Sequence, residues 1–323
     1  MTNSLQDTPE NKIRAALLRW YRANRRDLPW RRTRDPYAIW VSEIMLQQTR
    51  VAAVIDYYER FMREFPTVEA LAAAEEDRVL AAWSGLGYYR RARNLQAAAR
   101  KIVDELKGEV PKTSDALREL PGIGRYTSAA IASIAFGEPV AVVDGNVERV
   151  LERLDGVARS GESVWTRAQE LMASKSAGDW NQAMMELGAT VCTPIAPRCD
   201  ECPVRSWCKL PGHDVRKAQG ARKKKELAFG LVVRGERVYL QQRSKSDSLM
   251  AGMWDLPAIE MAEDRDVAVK MKHSITNTDY VISVVKLNVK MVPKGGKWFR
   301  IDELAPVPLT GIARKALRRT GLL

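Results

Sequence analysis

LPGIGRYTSAA, residues 120–130, sets two glycines on either side of one isoleucine, between a proline and a run of small residues able to begin a helix. Glycine supplies positive φ and lets a ligand come close to the backbone. The turn also leaves the first N–H groups of the next helix unpaired and pointing outward. A phosphate oxygen is the natural guest of such donors. A plain helix–helix connection closed by a glycine fits the same letters, so the rest of the chain has to decide between them.

At 323 residues the chain is long for one core, and two domains are expected. Its formal charge of +12 favours a polyanionic partner, because basic charge carries sequence-independent affinity for phosphate backbones. No stretch approaches the roughly 18 consecutive apolar residues of a membrane span, and the opening MTNSLQDTPENK has no apolar core of a secretory signal. A soluble, cytoplasmic protein that does not engage membrane is the expectation. All four cysteines fall between positions 192 and 208, where a reducing compartment favours metal ligation over disulfides.

From Asn11 to about Gly188 apolar residues recur at three- and four-residue spacing, as in IRAALLRWYRAN and NLQAAARKIVDEL, the mark of amphipathic helices. This part is predicted all-α. After the cysteines, PGHDVRKAQGARKKKE exchanges the apolar pattern for glycine, proline and six basic residues, which reads as an exposed linker. Beyond it LAFGLVVRGERVYLQQR reads as two strands joined at Gly235, and DYVISVVKLNVKMV alternates like another. The second domain is predicted to be mixed α and β.

The cysteine run is Cys192-x6-Cys199-x2-Cys202-x5-Cys208. Zinc ribbons present two separated Cys-x-x-Cys knuckles, and this run has one. Four unevenly spaced thiolates from one segment suit an iron–sulfur cluster, whose corners accept ligands from several directions. The spacing favours iron and leaves zinc open. Arg198, Arg205 and Lys209 lie among and just after the cysteines and can also face a phosphate backbone.

AVVDGNVERVLERL runs small and apolar residues into Asp144-Gly145-Asn146 and then into a helical pattern. Asp144 reads there as an N-cap, while a carboxylate held by N–H donors also suits a group that faces a developing positive charge. In PYAIWVSEIMLQQTRV helical spacing sets Glu43 near Ile39, Trp40 and Leu46. Apolar surroundings push a carboxyl toward its protonated form, as a general acid requires, unless the helix turns this residue to solvent. Gln47 and Gln48 follow one turn later, placed either to touch bases or to face water. Aromatic residues interleave with arginine in WYRANRRDLPWRRTR and GLGYYRRAR, where rings either stack on bases beside phosphate-binding guanidiniums or fill the core.

Together these stretches resemble the helix-hairpin-helix DNA glycosylases that carry a 4Fe-4S cluster, and within them the MutY adenine glycosylases, over about residues 10 to 210. LPGIGRYT is similar to that family's hairpin, VDGNV to its catalytic aspartate segment, and Cys192, Cys199, Cys202 and Cys208 to its cluster ligands. WVSEIMLQQTRV and the PWR at 29–31 are similar to the adenine glycosylases rather than to their endonuclease III relatives. The resemblance implies hydrolysis of the N-glycosidic bond of adenine mispaired with 8-oxoguanine or guanine in double-stranded DNA, after the base is flipped out. It implies a monomer of bacterial type, cytoplasmic and associated with the nucleoid, working in base excision repair.

For the site, the resemblance implies that Glu43 protonates the adenine leaving group and that Asp144 stabilises the oxocarbenium-like sugar, by charge or by transient covalency. It implies that Tyr126 and Asn146 position those carboxylates, that Trp30, Arg31 and Gln182 border the base pocket, and that Gln48 and Tyr88 wedge into the duplex. The N–H groups of Gly122 and Gly124 would hold the phosphate backbone. Relatives that also cut the strand place a lysine where this chain has Tyr126, so no lyase step is implied.

YLQQRSKSDSLMAGMWDLPAIE and KWFRIDEL resemble the MutT-like, Nudix-fold domain that reads 8-oxoguanine in this family. The implied division is a mainly α helix-hairpin-helix glycosylase domain over 8–210 with its cluster loop at 192–208, a basic linker over 211–226, and a smaller α/β MutT-like domain over 227–323. After Pro257 no Arg-Glu-x-x-Glu-Glu sequence follows, so this domain is expected to read nucleotides rather than hydrolyse them. The family's Phe-Ser-His recognition loop stands here as Ile275-Thr276-Asn277, where Thr276 keeps the hydroxyl. The rivals are a bifunctional glycosylase/lyase for an oxidised pyrimidine, which Tyr126 decides, and a non-catalytic iron–sulfur DNA-binding module, which needs neither Glu43 nor Asp144. A zinc-stabilised scaffold would be colourless.

Overall fold

The computed structural model describes residues 8–212, 222–244, 246–247, 250–260, 266–275 and 278–323. Helices fill the chain as far as Thr190: α1 Pro9–Asn24, α2 Pro36–Leu46, α3 Val51–Glu64, α4 Val68–Ala73, α5 Glu76–Trp83, α6 Arg90–Leu106, α7 Ser114–Arg118, α8 Arg125–Phe136, α9 Gly145–Asp155, α10 Glu162–Glu170 and α11 Ala177–Thr190. Side chains set several of their starts, since Thr8, Asp35, Thr113 and Asp144 each accept an orphan N–H, and Pro9 and Pro36 take the first helical position. α2 is apolar around most of its circumference and is buried from Tyr37 to Met45.

The chain forms two compact units, one of Met1–Met62, Thr67–Glu69 and Ala97–Ala218, the other of Arg63–Pro66, Ala70–Gln96 and Gln219–Leu323. In the first, α11 packs on α1, α8 and α9 around Leu17, Tyr21, Leu151, Trp180 and Leu187. Burying each such side chain contributes about 2 kcal/mol. Two glycines allow the close approach. A Cβ on Gly188 would stand 2.6 Å from Asn146 Cβ, and one on Gly178 would stand 2.7 Å from the Ser133 carbonyl oxygen. The start of α9 is thereby drawn against α11.

The second unit holds β1 Lys223–Leu231, β2 Val233–Arg234, β3 Arg237–Gln242, β4 Trp254–Asp255, β5 Ala258–Ile259, β6 Val267–Ile275, β7 Thr278–Lys286, β8 Gly296–Arg300 and α12 Gly311–Arg319. One sheet runs β5-β1-β7-β6 and a second runs β2-β3-β4 with β8 also on β3. Only the β1–β7 pairing is parallel among these. Phe229, Leu240, Ile282 and Val284 from both sheets share a core with Ile312 and Leu317 of α12. The turn expected at Gly235 is there, with φ 55°.

Two features differ from what composition suggests. Lys223, Lys224 and Lys225, basic enough to read as linker, open β1, where parallel pairing with Thr278 to Tyr280 satisfies the backbone while the charges stay in water. Residues 70–96 belong with the sheets, and Ser84 is one tie: its Oγ donates to the Leu309 carbonyl at 2.8 Å and accepts from Arg314 Nε at 2.8 Å. No helix of the described residues is long and apolar enough to cross a membrane.

Candidate active site

A cleft of about 220 Å³ opens in the first unit, and Trp30, Arg31, Glu43, Tyr126, Asp144, Asn146 and Gln182 all line it. Glu43 reaches it from α2, 5% exposed, and among the described residues its Oε2 meets no hydrogen-bond partner. Burial pushes its carboxyl up to about 7; the Tyr126 hydroxyl and the Arg31 charge oppose that rise, and the Asp144 charge adds to it. Such a group holds a proton near neutral pH and can still release it.

Asp144 is both a cap and a cleft residue. Its Oδ1 accepts from the N–H of Asn146 at 2.9 Å and of Val147 at 2.8 Å, and its Oδ2 accepts from Asn146 Nδ2 at 2.8 Å. Tyr126, in the first turn of α8, lies against Glu43 and donates its hydroxyl to Met185 Sδ at 3.2 Å. Burial first, then the charges of Glu43 and Asp144, raises its pKa well above the usual phenol value, so the hydroxyl keeps its hydrogen.

Glu186 lines the same cleft and no motif marks it. It is 1% exposed, yet burial is outweighed by hydrogen bonds from Arg26 and Arg31 and by the Arg31 charge, which hold its carboxyl at about 2. Arg26 donates to it through Nε at 2.8 Å, Nη2 at 2.6 Å and its backbone N–H at 3.1 Å, and Arg31 through Nη2 at 2.8 Å. The clue in the sequence is a single acidic residue inside NQAMMELGATV, the same pattern that marks Glu43. Trp30 stacks edge-on against Tyr58 at 5.3 Å, and Gln182 Nε2 donates to the Gly178 carbonyl at 3.2 Å, so both are fixed at the rim.

Three of the other residues implicated by sequence lie in the first unit away from the cleft lining. Gly122 has φ 77°, Gly124 caps α8, and Ile123 between them is buried. Among the described residues the N–H groups of Gly122 and Gly124 meet no acceptor. Gln48, between α2 and α3, has φ 56°, and Tyr88, in the second unit, has φ 50°. Both are left-handed backbone positions that a non-glycine side chain occupies only under strain. Tyr88 is 41% exposed with the Arg91 guanidinium 5.2 Å from its ring. Thr276 lies outside the described residues.

Cys192, Cys199, Cys202 and Cys208 line one small cavity with Arg153 and Arg205. Arg153 Nη1 donates to Cys192 Sγ at 3.1 Å and the Gly212 N–H donates to Cys199 Sγ at 3.2 Å. Burial pushes the Cys202 thiol up to about 11. Among the described residues no three or more His, Cys, Asp or Glu side chains are grouped to hold a single metal ion. Four thiols around one cavity, two of them already accepting N–H bonds, make a soft donor set that fits a thiolate-bound iron cluster.

The family model for the HhH-GPD superfamily of base excision DNA repair proteins matches residues 41–173. The adenine DNA glycosylase of Rattus norvegicus is 52% identical over 212 residues, covering 61% of this chain and 41% of that protein, so the chain spans about two fifths of that relative's length. The adenine DNA glycosylase of Mus musculus is 35% identical over 398 residues, covering 95% of this chain and 77% of that protein. A thermostable thymine-DNA glycosylase of known structure is 30% identical with a TM-score of 0.58, over 62% of this chain and 95% of its own.

Proposed function

The chain belongs to the adenine DNA glycosylase family, and from that premise we propose that it excises adenine from double-stranded DNA by hydrolysing the N-glycosidic bond in base excision repair. The observation that carries the proposal is the presence in one cleft of two carboxyl groups in opposite surroundings, Glu43 buried with an unpartnered oxygen and Asp144 bound by three N–H donors. Glu43 gives its proton to the departing base. Asp144 faces the positive charge that develops on the sugar, and water completes the substitution. Tyr126 and Asn146 hold the two carboxyls in place, Trp30, Arg31 and Gln182 border the flipped base, and Gln48 and Tyr88 enter the duplex.

A tyrosine at position 126 cannot form an imine with the sugar, which supports a monofunctional enzyme. The N–H groups of Gly122 and Gly124 are proposed to bind backbone phosphate. Cys192, Cys199, Cys202 and Cys208 are proposed to hold a 4Fe-4S cluster, which when bound would cross-link the loop after α11. The substrate is proposed to be adenine opposite 8-oxoguanine or guanine, with residues 8–210 as glycosylase, a basic linker that ends where β1 begins at Lys223, and the part that follows as the MutT-like reader through Thr276. A monomer associated with the nucleoid fits the net charge of +12.

The test is a duplex labelled on the strand bearing adenine opposite 8-oxoguanine. Incubation followed by hot alkali should cleave that strand at the adenine, while omission of alkali leaves it intact. A strand that survives alkali would sink the glycosylase reading, and borohydride trapping at a level comparable to excision would sink the monofunctional one. The purified protein should be brown and should lose iron and colour when Cys199 is replaced by serine.

A further inference from the structure

The Tyr126 hydroxyl has one hydrogen to give and two neighbours that compete for it. It donates to Met185 Sδ at 3.2 Å, and it shares the cleft with the Glu43 carboxyl, whose pKa it lowers. A phenolic hydroxyl is a single donor that can accept at the same time. When Glu43 carries its proton, the carboxyl O–H can donate to the Tyr126 oxygen only if the tyrosine's own hydrogen points elsewhere. Met185 Sδ is an acceptor placed for that purpose. When Glu43 is ionised, the tyrosine hydrogen turns to the carboxylate, and the thioether, a weak acceptor, releases it without large cost.

We propose that Met185 is a positioning residue that keeps Glu43 in its proton-bearing state by taking the Tyr126 hydrogen. The other charged groups that act on Glu43 are Asp144 at the start of α9 and Arg31 from the turn before α2. Asp144 is a poor competitor for the tyrosine hydrogen, because its two oxygens already accept three N–H bonds. Arg31 is engaged with Glu186 and with the Arg26 carbonyl. Met185 is therefore the outlet that leaves the phenol oxygen free to receive the Glu43 proton.

The inference rests on the proposed excision of adenine, and its test separates the two. Met185→Leu keeps an apolar side chain of similar volume and removes the acceptor. In the full chain, the single-turnover excision rate of this variant should fall with rising pH at a lower midpoint than wild type, so that its deficit at about pH 8 exceeds its deficit at about pH 6 several-fold. Affinity for the mismatched duplex should not change. Met185→Gln, which restores an acceptor, should return the midpoint to the wild-type position or above. A direct titration of Glu43 by the infrared band of its protonated carboxyl, in protein without DNA, should show the same downward shift in Met185→Leu. Identical midpoints in wild type and Met185→Leu, or a uniform loss of rate at every pH, would overturn the proposal. If wild type excises no adenine, the functional reading fails, while the Glu43 titration still decides the role of Met185.

Discussion

Arg149 Nη2 donates to Asn146 Oδ1 at 2.9 Å, while Nε of the same guanidinium donates to the Cys192 carbonyl at 2.8 Å. Asn146 in turn donates through Nδ2 to Asp144 Oδ2 at 2.8 Å. Three consecutive hydrogen bonds thus join the loop of thiols to a carboxylate of the cleft. A further bond from Arg149 Nη2 to the Gly188 carbonyl at 2.7 Å fixes the guanidinium against α11.

Arg149→Leu should therefore slow adenine excision by about 10- to 100-fold, the usual cost of losing a group that orients a site residue. Iron content and duplex binding should remain close to wild type. Single-turnover kinetics beside an iron assay check this, and an unchanged rate would mean that Asp144 needs no support from the cysteine loop.

Glu43→Gln and Asp144→Asn keep shape and remove, respectively, the transferable proton and the charge. Each should reduce excision by at least about 10²- to 10⁴-fold, the range for a positioned acid or base. Binding to the mismatch should survive, because the loss falls on the transition state. A near-wild-type rate in either variant would remove that residue from the mechanism.

Glu43 also makes stability depend on pH. Its carboxyl titrates at about 7 in the fold against an ordinary 4.5, so between those values the unfolded chain has released the proton and the folded chain has not. Folding loses stability as pH rises through that window, by about 3 kcal/mol in all. Glu43→Gln has no proton to lose. Denaturant unfolding should show the variant gaining on wild type from about pH 5 to about pH 8, and a constant difference between the two proteins would contradict the burial.

Glu186 behaves in the opposite sense. Its depressed carboxyl contributes stability that is present above the ordinary value of 4.5 and is lost as pH falls toward about 2. Glu186→Gln leaves the Arg26 and Arg31 guanidiniums without their shared countercharge, and a loss of about 3 kcal/mol is expected. Thermal unfolding at neutral pH measures it, and an unchanged melting temperature would show that water replaces the carboxylate.

Some of this site is readable in the letters and some is not, for physical reasons. Glu43 stands in YAIWVSEIML, where apolar residues on every side leave little solvent-facing stripe, so the sequence favours its burial and the structure decides against a solvent-facing turn. Asp144 is readable because VDGNV joins an apolar run to a helix start, and an N-cap depends only on local geometry. Glu186 offers the same kind of clue, but its partners Arg26 and Arg31 lie 160 and 155 residues earlier, and no local pattern pairs them. The grouping of Ser84 with Leu309 is non-local in the same way. The left-handed backbone at Gln48 and Tyr88 also escapes, since such angles are expected of glycine.

The contact of Glu186 with Arg31 also sets a schedule for the newborn chain. At roughly 5–20 residues per second, the ribosome delivers Glu186 on the order of ten seconds after Arg31, given their 155-residue separation. For the first part of that interval α2 waits for α8, the helix it packs on, and for all of it the cleft lacks the wall that α11 supplies. The cleft is closed by one of the last helices of its unit to be made, so nascent chains stalled before α11 should be the ones that engage chaperones and fall to proteases.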